Sequence, residues 1–211
     1  MEGKNLKDAT MTPLAAVAEA FEEMAELLKS RKEDQHLRLD TFCQACSLFS
    51  VLFGCLGLAF KFAKSEYLSM IRDLEEGSKT YSTLQDIINA DVANKRVKTQ
   101  GSHSRNLRRV RQGLDLIRVL FEQFVSTEEH SLKEAASRAY RQVCAPYHCW
   151  SVRTAVAAGM CTLPAREKLL VKLKETDSSA EKKMRRYISA ADTIIEYINN
   201  LYLSKNISLD W

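Results

Sequence analysis

An all-α fold is what this sequence predicts, on three observations. The 211 residues contain only 7 glycines and 3 prolines, too few for a fold built on many turns. Apolar residues recur at helical spacing in nearly every segment, and nothing shows strand alternation. The stretch "SHSRNLRRVRQGLDLIRVLFEQF", Ser102 to Phe124, is apolar on two opposed faces, which places one helix in the middle of a sandwich.

The elements follow in order. Thr12-Pro13 is an N-cap and first-turn pair opening a helix to about Lys29, with Phe21, Met24, Leu27 and Leu28 on its apolar face. A second helix covers about Leu39 to Gly54, and its continuation runs to about Glu76. Inside it "TFCQACSLFSVLFGCLGLAF", Thr41 to Phe60, has no charged residue and is nearly long enough for a bilayer span. Gln44, Ser47 and Ser50 interrupt it, Gly54 and Gly57 offer bends, and the helical spacing continues beyond it. A helix buried all round is therefore expected over a transmembrane one. A shorter helix runs from about Tyr81 to Ala93, followed by the basic loop "NKRVKTQGSHS". The arginine-rich helix then extends to about Val125, and another runs from near Thr127 to near Cys144. "APYHCWS" is a turn into a helix ending near Gly159. Pro164 opens a helix to about Lys174, and the last long one spans about Ser178 to Tyr202. The length suits one domain, residues 1–211.

Composition narrows the function. Net charge is +4 with acids and bases interspersed, too weak and too even to argue nucleic acid by itself. The N-terminal "MEGKNLKDATMTPL" has no apolar targeting region, which predicts a soluble cytoplasmic protein whose six cysteines are reduced. Cys43 and Cys46 form a C-x-x-C inside an apolar run with no second pair at zinc-ribbon spacing. They read as small core residues, and no metal is expected. There is no G-x-G-x-x-G and no nucleophile–base constellation, so neither catalytic residues nor a cofactor are expected.

The arginines sort into three stripes. Leu107, Val110, Leu114, Ile117, Phe121 and Phe124 form the core seam. Arg108, Arg111, Asp115, Arg118 and Glu122 form a second stripe, expected to be solvated. Arg105, Arg109, Gly113, Leu116 and Leu120 form the third, roughly opposite the core. Two guanidinium groups four residues apart, followed by leucines, suit one anion that carries a hydrocarbon tail. The alternative is that both arginines sit on the surface at the helix start, where cations oppose the helix dipole. On the preceding helix Cys55, Ala59, Phe62, Glu66 and Met70 share a stripe, which sets Glu66 among apolar neighbours. A carboxylate there is costly unless it pairs with an arginine or accepts from a ligand's N–H or O–H.

At these residues the chain resembles the glycolipid transfer protein family. It is most like the ceramide-1-phosphate branch and, within it, the plant accelerated-cell-death type of sphingolipid transfer protein. "ACSLFSVLFGCLGLAFKFA", "RNLRRVRQGLD" with "RVLFEQF", and "APYHCW" carry the likeness, which covers about residues 12 to 203. The resemblance implies a two-layer helical sandwich of about eight helices whose interior takes the hydrocarbon chains of a sphingolipid. It implies phosphate binding by Arg105 and Arg109, and a ceramide amide contact from the acidic position, here Glu66. It implies an acyl-carbonyl contact from His148 and membrane contact by Trp150. Two positions depart from the family pattern. Glu66 stands where the family has aspartate, and Met70 stands where a lysine helps hold the phosphate. The function implied is a monomeric, non-enzymatic carrier of ceramide-1-phosphate or a related phospholipid, bound to membranes only transiently and with no nucleic-acid partner. A lipid sensor or scaffold of the same fold, with altered head-group preference, is the alternative that the two departures raise.

Overall fold

The computed structural model describes residues 11–30, 36–57, 60–126 and 131–211. Among them are ten α-helices: α1 (Pro13–Lys29), α2 (Leu39–Ser47), α3 (Phe49–Cys55), α4 (Lys61–Gly77), α5 (Leu84–Ala93), α6 (His103–Ser126), α7 (Leu132–Val143), α8 (Trp150–Met160), α9 (Arg166–Leu173) and α10 (Asp177–Leu203). A 3₁₀ turn, Ala145–Tyr147, links α7 to α8. The pairing of extended backbone among these residues is an isolated bridge between Arg38 and Thr83. The expected all-α sandwich is what the chain forms.

Local chemistry sets the helix starts. The Thr12 hydroxyl accepts from the Ala15 N–H, with Pro13 at the first helical position. Thr83 with Asp86, and Thr176 with Ser179, make reciprocal capping boxes at α5 and α10. Ser131 caps α7 by accepting from the Glu134 N–H. Thr127, the expected start of that helix, lies outside the described residues.

The second long helix differs from expectation. It divides into α2, α3 and α4, with a break at Leu48 and a larger one between Cys55 and Lys61. Gly57 sits in that second break at φ +105°, a conformation that L side chains rarely adopt, so the helix cannot pass through it. Ala59 lies outside the described residues. The break also undoes the stripe drawn across it. Cys55 is buried, Phe62 is 79% exposed, Glu66 is exposed and Met70 is half-buried. Among the described residues no helix is long and apolar enough to cross a membrane.

The main core joins α1 to α6 with α9 and α10 around four aromatic rings. Tyr187 on α10 meets Phe21, Phe49 and Phe121 edge-on, with ring centroids 5.0, 5.5 and 5.4 Å away. Its hydroxyl donates to the Leu114 carbonyl at 3.0 Å. Tyr202 donates to the Ser104 carbonyl at 2.5 Å, so α6 and α10 run antiparallel along most of their lengths. Cys43 and Cys46 are buried in this core, and burial pushes the Cys43 thiol up to about 12. A smaller cluster, with Val119, Ala139, Tyr140 and Met160, ties α6 to α7 and α8.

α6 is central to both clusters. Leu107, Val110, Leu114, Phe121 and Phe124 are buried, as the core seam required, while Ile117 is half-buried. The stripe expected to be solvated is not. Arg108 is 5% exposed, its guanidinium lying 4.7 Å from the Tyr147 ring centroid and 5.1 Å from that of Trp211. It donates to the Gln112 side chain and to the Leu209 carbonyl, so the C-terminal segment covers a face that periodicity alone left open. Arg111, Asp115 and Arg118 are half-buried in an ion-pair ladder.

Removing the central aromatic should expose how far α10 organises the rest. Tyr187→Ala should cost about 3–5 kcal/mol through the cavity it leaves, and Tyr187→Phe about 1 kcal/mol through the lost hydrogen bond. Chemical denaturation midpoints of the two variants against the parent check both values.

Candidate functional site

An apolar cavity of about 210 Å³ lies between α3, α4, α6, α7 and α8. The third stripe of α6 supplies its wall: Gly113, Leu116 and Leu120 all line it. Gly113 faces the Tyr67 ring, and a Cβ there would lie 3.5 Å from it, in ordinary van der Waals contact. Tyr67 packs against α6 here and donates to the Cys46 carbonyl at 3.1 Å. A smaller void of about 40 Å³ reaches α9 and α10 and shares Leu56, Ile117, Leu120 and Leu132 with the first. The two form one apolar path between helices.

Polar groups gather beside this cavity. Arg109 on α6 donates to Glu66 on α4 at 2.5 Å, with side chains 38% and 46% exposed. Glu66 is therefore paired at the surface and not set in apolar surroundings. An arginine partner is one of the two ways the sequence leaves for a carboxylate there to be satisfied. An ion pair this exposed is worth about 0–1 kcal/mol, so an incoming charge can displace it at little cost. Arg105, one turn earlier, donates from Nη1 to the Lys98 carbonyl at 2.9 Å, which draws it toward the basic loop. The two arginines lie on the same helix face but have different partners. Each guanidinium has five donors, and these bonds leave the others for a ligand.

His148 follows the 3₁₀ turn and lines the cavity. Its Nδ1 is 2.9 Å from the Tyr140 hydroxyl, and its carbonyl accepts from Arg153 Nε at 2.8 Å. Burial, and then the neighbouring Arg109 charge, hold the imidazole below its ordinary value, so it is neutral at pH 7. Met70 packs half-buried against the main core, on the same face of α4 as Glu66 one turn away. Trp150 begins α8 and is 79% exposed. Cys144 is buried and Cys149 exposed on either side of this turn.

Three participants escaped the sequence reading. Tyr140 holds His148 across a helix end and a turn, eight residues away, where no periodic signal reaches. Phe62 stands on α4 beside cavity-lining Ala63, as exposed as Trp150. A phenylalanine between two lysines, in Lys61-Phe62-Ala63-Lys64, was the available signal for it. Arg108 was assigned to solvent although Gln112, one turn on, is a side-chain acceptor suited to a buried guanidinium.

The chain is similar to proteins already described. Residues 37–175 match the family model for "Glycolipid transfer protein (GLTP)". The "ACD11 homolog protein" of Arabidopsis thaliana is 59% identical over 204 residues, covering 95% of this chain and 89% of that one. "Accelerated cell death 11" of Arabidopsis thaliana is 42% identical over 200 residues, covering 94% and 96%. A crystal structure of a mutant of Arabidopsis ACD11 complexed with C12 ceramide-1-phosphate superposes with a TM-score of 0.91 at 41% identity. It covers 96% of this chain and 100% of that chain.

The depressed His148 value has a signed consequence. The unfolded chain takes up this proton at the ordinary value near 6.5, before the folded chain does. The contribution is complete above that pH and is lost as pH falls through the folded value. Melting temperature followed from pH 7.5 to 5 should fall further for the parent than for His148→Gln.

Proposed function

The chain belongs to the glycolipid transfer protein family, and we propose that it carries one ceramide-based lipid with a phosphate head group, of the ceramide-1-phosphate type, between membranes. The observation that carries this reading is the meeting of Glu66, Arg109 and His148 beside a cavity with apolar walls. An apolar void of about 150 Å³ already holds a small hydrocarbon, and the cavity here is larger, with an extension toward α9 and α10. Each methylene it takes from water contributes about 0.8 kcal/mol. The bilayer interior offers the same contacts, so chain burial lets the lipid leave the membrane without choosing which lipid leaves.

Choice falls to the head-group residues. Arg109 and Arg105 hold the phosphate with charge-assisted bonds, Arg105 turning from the Lys98 carbonyl. Glu66, released from Arg109, accepts from the ceramide amide N–H. His148 stays neutral. In this reading the Tyr140 hydroxyl, 2.9 Å from Nδ1, is the donor, which leaves the ring proton on Nε2 to donate to the acyl carbonyl. Trp150 and Phe62 enter the interface of a membrane, where an amphipathic or apolar ring is at home. The whole chain acts as one unit in the cytoplasm, contacts membranes transiently as a monomer, and makes or breaks no covalent bond.

Transfer between donor and acceptor liposomes tests this. The parent should move ceramide-1-phosphate well ahead of a hexosylceramide with the same chains. Arg105→Ala with Arg109→Ala should cut phosphate-lipid transfer about 10- to 100-fold, as expected for losing charge-assisted bonds of about 1.5–3 kcal/mol. An unchanged preference in the double variant overturns the assignment. Binding to vesicles without exchange points to a sensor instead.

A further inference from the structure

The antiparallel register of α4 and α6 fixes what faces the two arginines. Gly77 meets the His103 ring, Asp73 accepts from His103 and Asn106 at 2.8 Å, Glu66 accepts from Arg109, and Tyr67 lies on Gly113. Met70 falls between Asp73 and Glu66, so it is opposite the Arg105–Arg109 segment of α6. Its side chain packs on the core and brings no charge. The side chains proposed to meet the head group then sum simply. Arg105 and Arg109 contribute two positive charges, Glu66 removes one, and His148 is neutral at pH 7. The next charges out are of both signs, and each is already engaged: Lys98, whose carbonyl holds Arg105, has its ammonium 5.4 Å from the Trp211 ring centroid. Arg153 is exposed and donates to the His148 carbonyl, and Asp73 is already bonded to His103 and Asn106.

A net single positive charge matches a phosphate bearing one negative charge. A phosphomonoester carries about 1.5 to 2 negative charges at pH 7. A phosphodiester carries one and cannot gain a second. The Arg109–Glu66 contact that the head group would replace is open to solvent, its side chains 38% and 46% exposed. We propose that this head-group site is matched to a singly charged phosphate, so that the protein takes ceramide lipids whose phosphate is a diester at least as well as the monoester. The inference rests on the carrier reading above and names the charge class of its cargo.

The test compares ceramide-1-phosphate with its O-methyl phosphodiester, a pair that differs by one charge and one carbon. Liposome transfer at pH 7.4 is measured for the parent and for Met70→Lys, and the diester-to-monoester rate ratio is taken within each protein, so a general loss of activity cancels. The expected ratio is about one or more in the parent, falling about tenfold in Met70→Lys as a second net cation favours the monoester. A parent ratio below one tenth, or a ratio that Met70→Lys leaves unchanged, overturns this proposal while the carrier reading stands. If the parent neither binds nor moves either lipid, the carrier reading fails and takes this inference with it.

Discussion

The fold depends on α6 being packed on two opposite faces by unlike things. One face meets α10 through Leu107, Val110 and Leu114 and is closed by the Tyr187 and Tyr202 hydroxyls, which bond to α6 carbonyls. The other face ends in Gly113, Leu116 and Leu120, which border empty space. A helix apolar all round normally disappears into a core. Here part of the second face lines a cavity while still touching Tyr67 and the smaller cluster. Large voids are unfavourable in well-packed interiors because lining atoms lose their dispersion partners. Core and cavity are therefore consequences of the same helix, and a site on α6 inherits the rigidity of its core side.

Sequence reading reached the parts governed by local periodicity. The cap at Thr12, the turn at Ala145–Tyr147, and the core seam and cavity stripe of α6 are each set by residues within a few positions of one another, whereas the charged stripe that periodicity left to solvent is covered. It went astray where a straight helix was assumed. Glu66 and Phe62 were placed by projecting a stripe through the segment that Gly57 interrupts, and both are exposed. It also lacked every contact between distant segments. The Glu66–Arg109 pair spans 43 residues and the Arg108–Leu209 bond 101, and neither separation leaves a pattern in the chain. Of the site, the arginines were legible from charge set against an apolar face. His148 and Trp150 became candidates only through the family resemblance.

Adjacent arginines show how strongly burial separates equivalent chemistry. Arg108 and Arg109 differ by one helical step of about 100°. Arg108 is enclosed between Tyr147 and Trp211, and burial lowers its affinity for its proton. Removing its partners would strand a charge in poor solvent, so it is bound to a structural role. Gln112, its side-chain acceptor, in turn donates to the Val143 carbonyl at 2.9 Å, near the end of α7. The turn that presents His148 is thus fixed by Arg108 against Tyr147, by Tyr140 on the imidazole and by Arg153 on the carbonyl. Arg109 has one exposed carboxylate partner, and water can replace it. The rigid arginine builds the frame and the loosely held one is available to a ligand.

That division bears on how a carrier both loads and unloads. A site whose polar groups were strongly paired when empty would resist the ligand, and one with unpaired buried charges would be costly while empty. Glu66 and Arg109 avoid both extremes by pairing with each other at the surface, where the pair is weak. In the proposed complex a phosphate on Arg109 and an amide on Glu66 replace that weak contact, so the head group adds selectivity without a deep energy well. Hydrocarbon transfer is similarly even, since cavity and bilayer are both apolar. With both terms near balance, small changes in charge at the α4–α6 contact weigh heavily on which lipid is favoured. Under the charge-class proposal, Met70, apolar and held against the core opposite the two arginines, is where the sequence sets that charge.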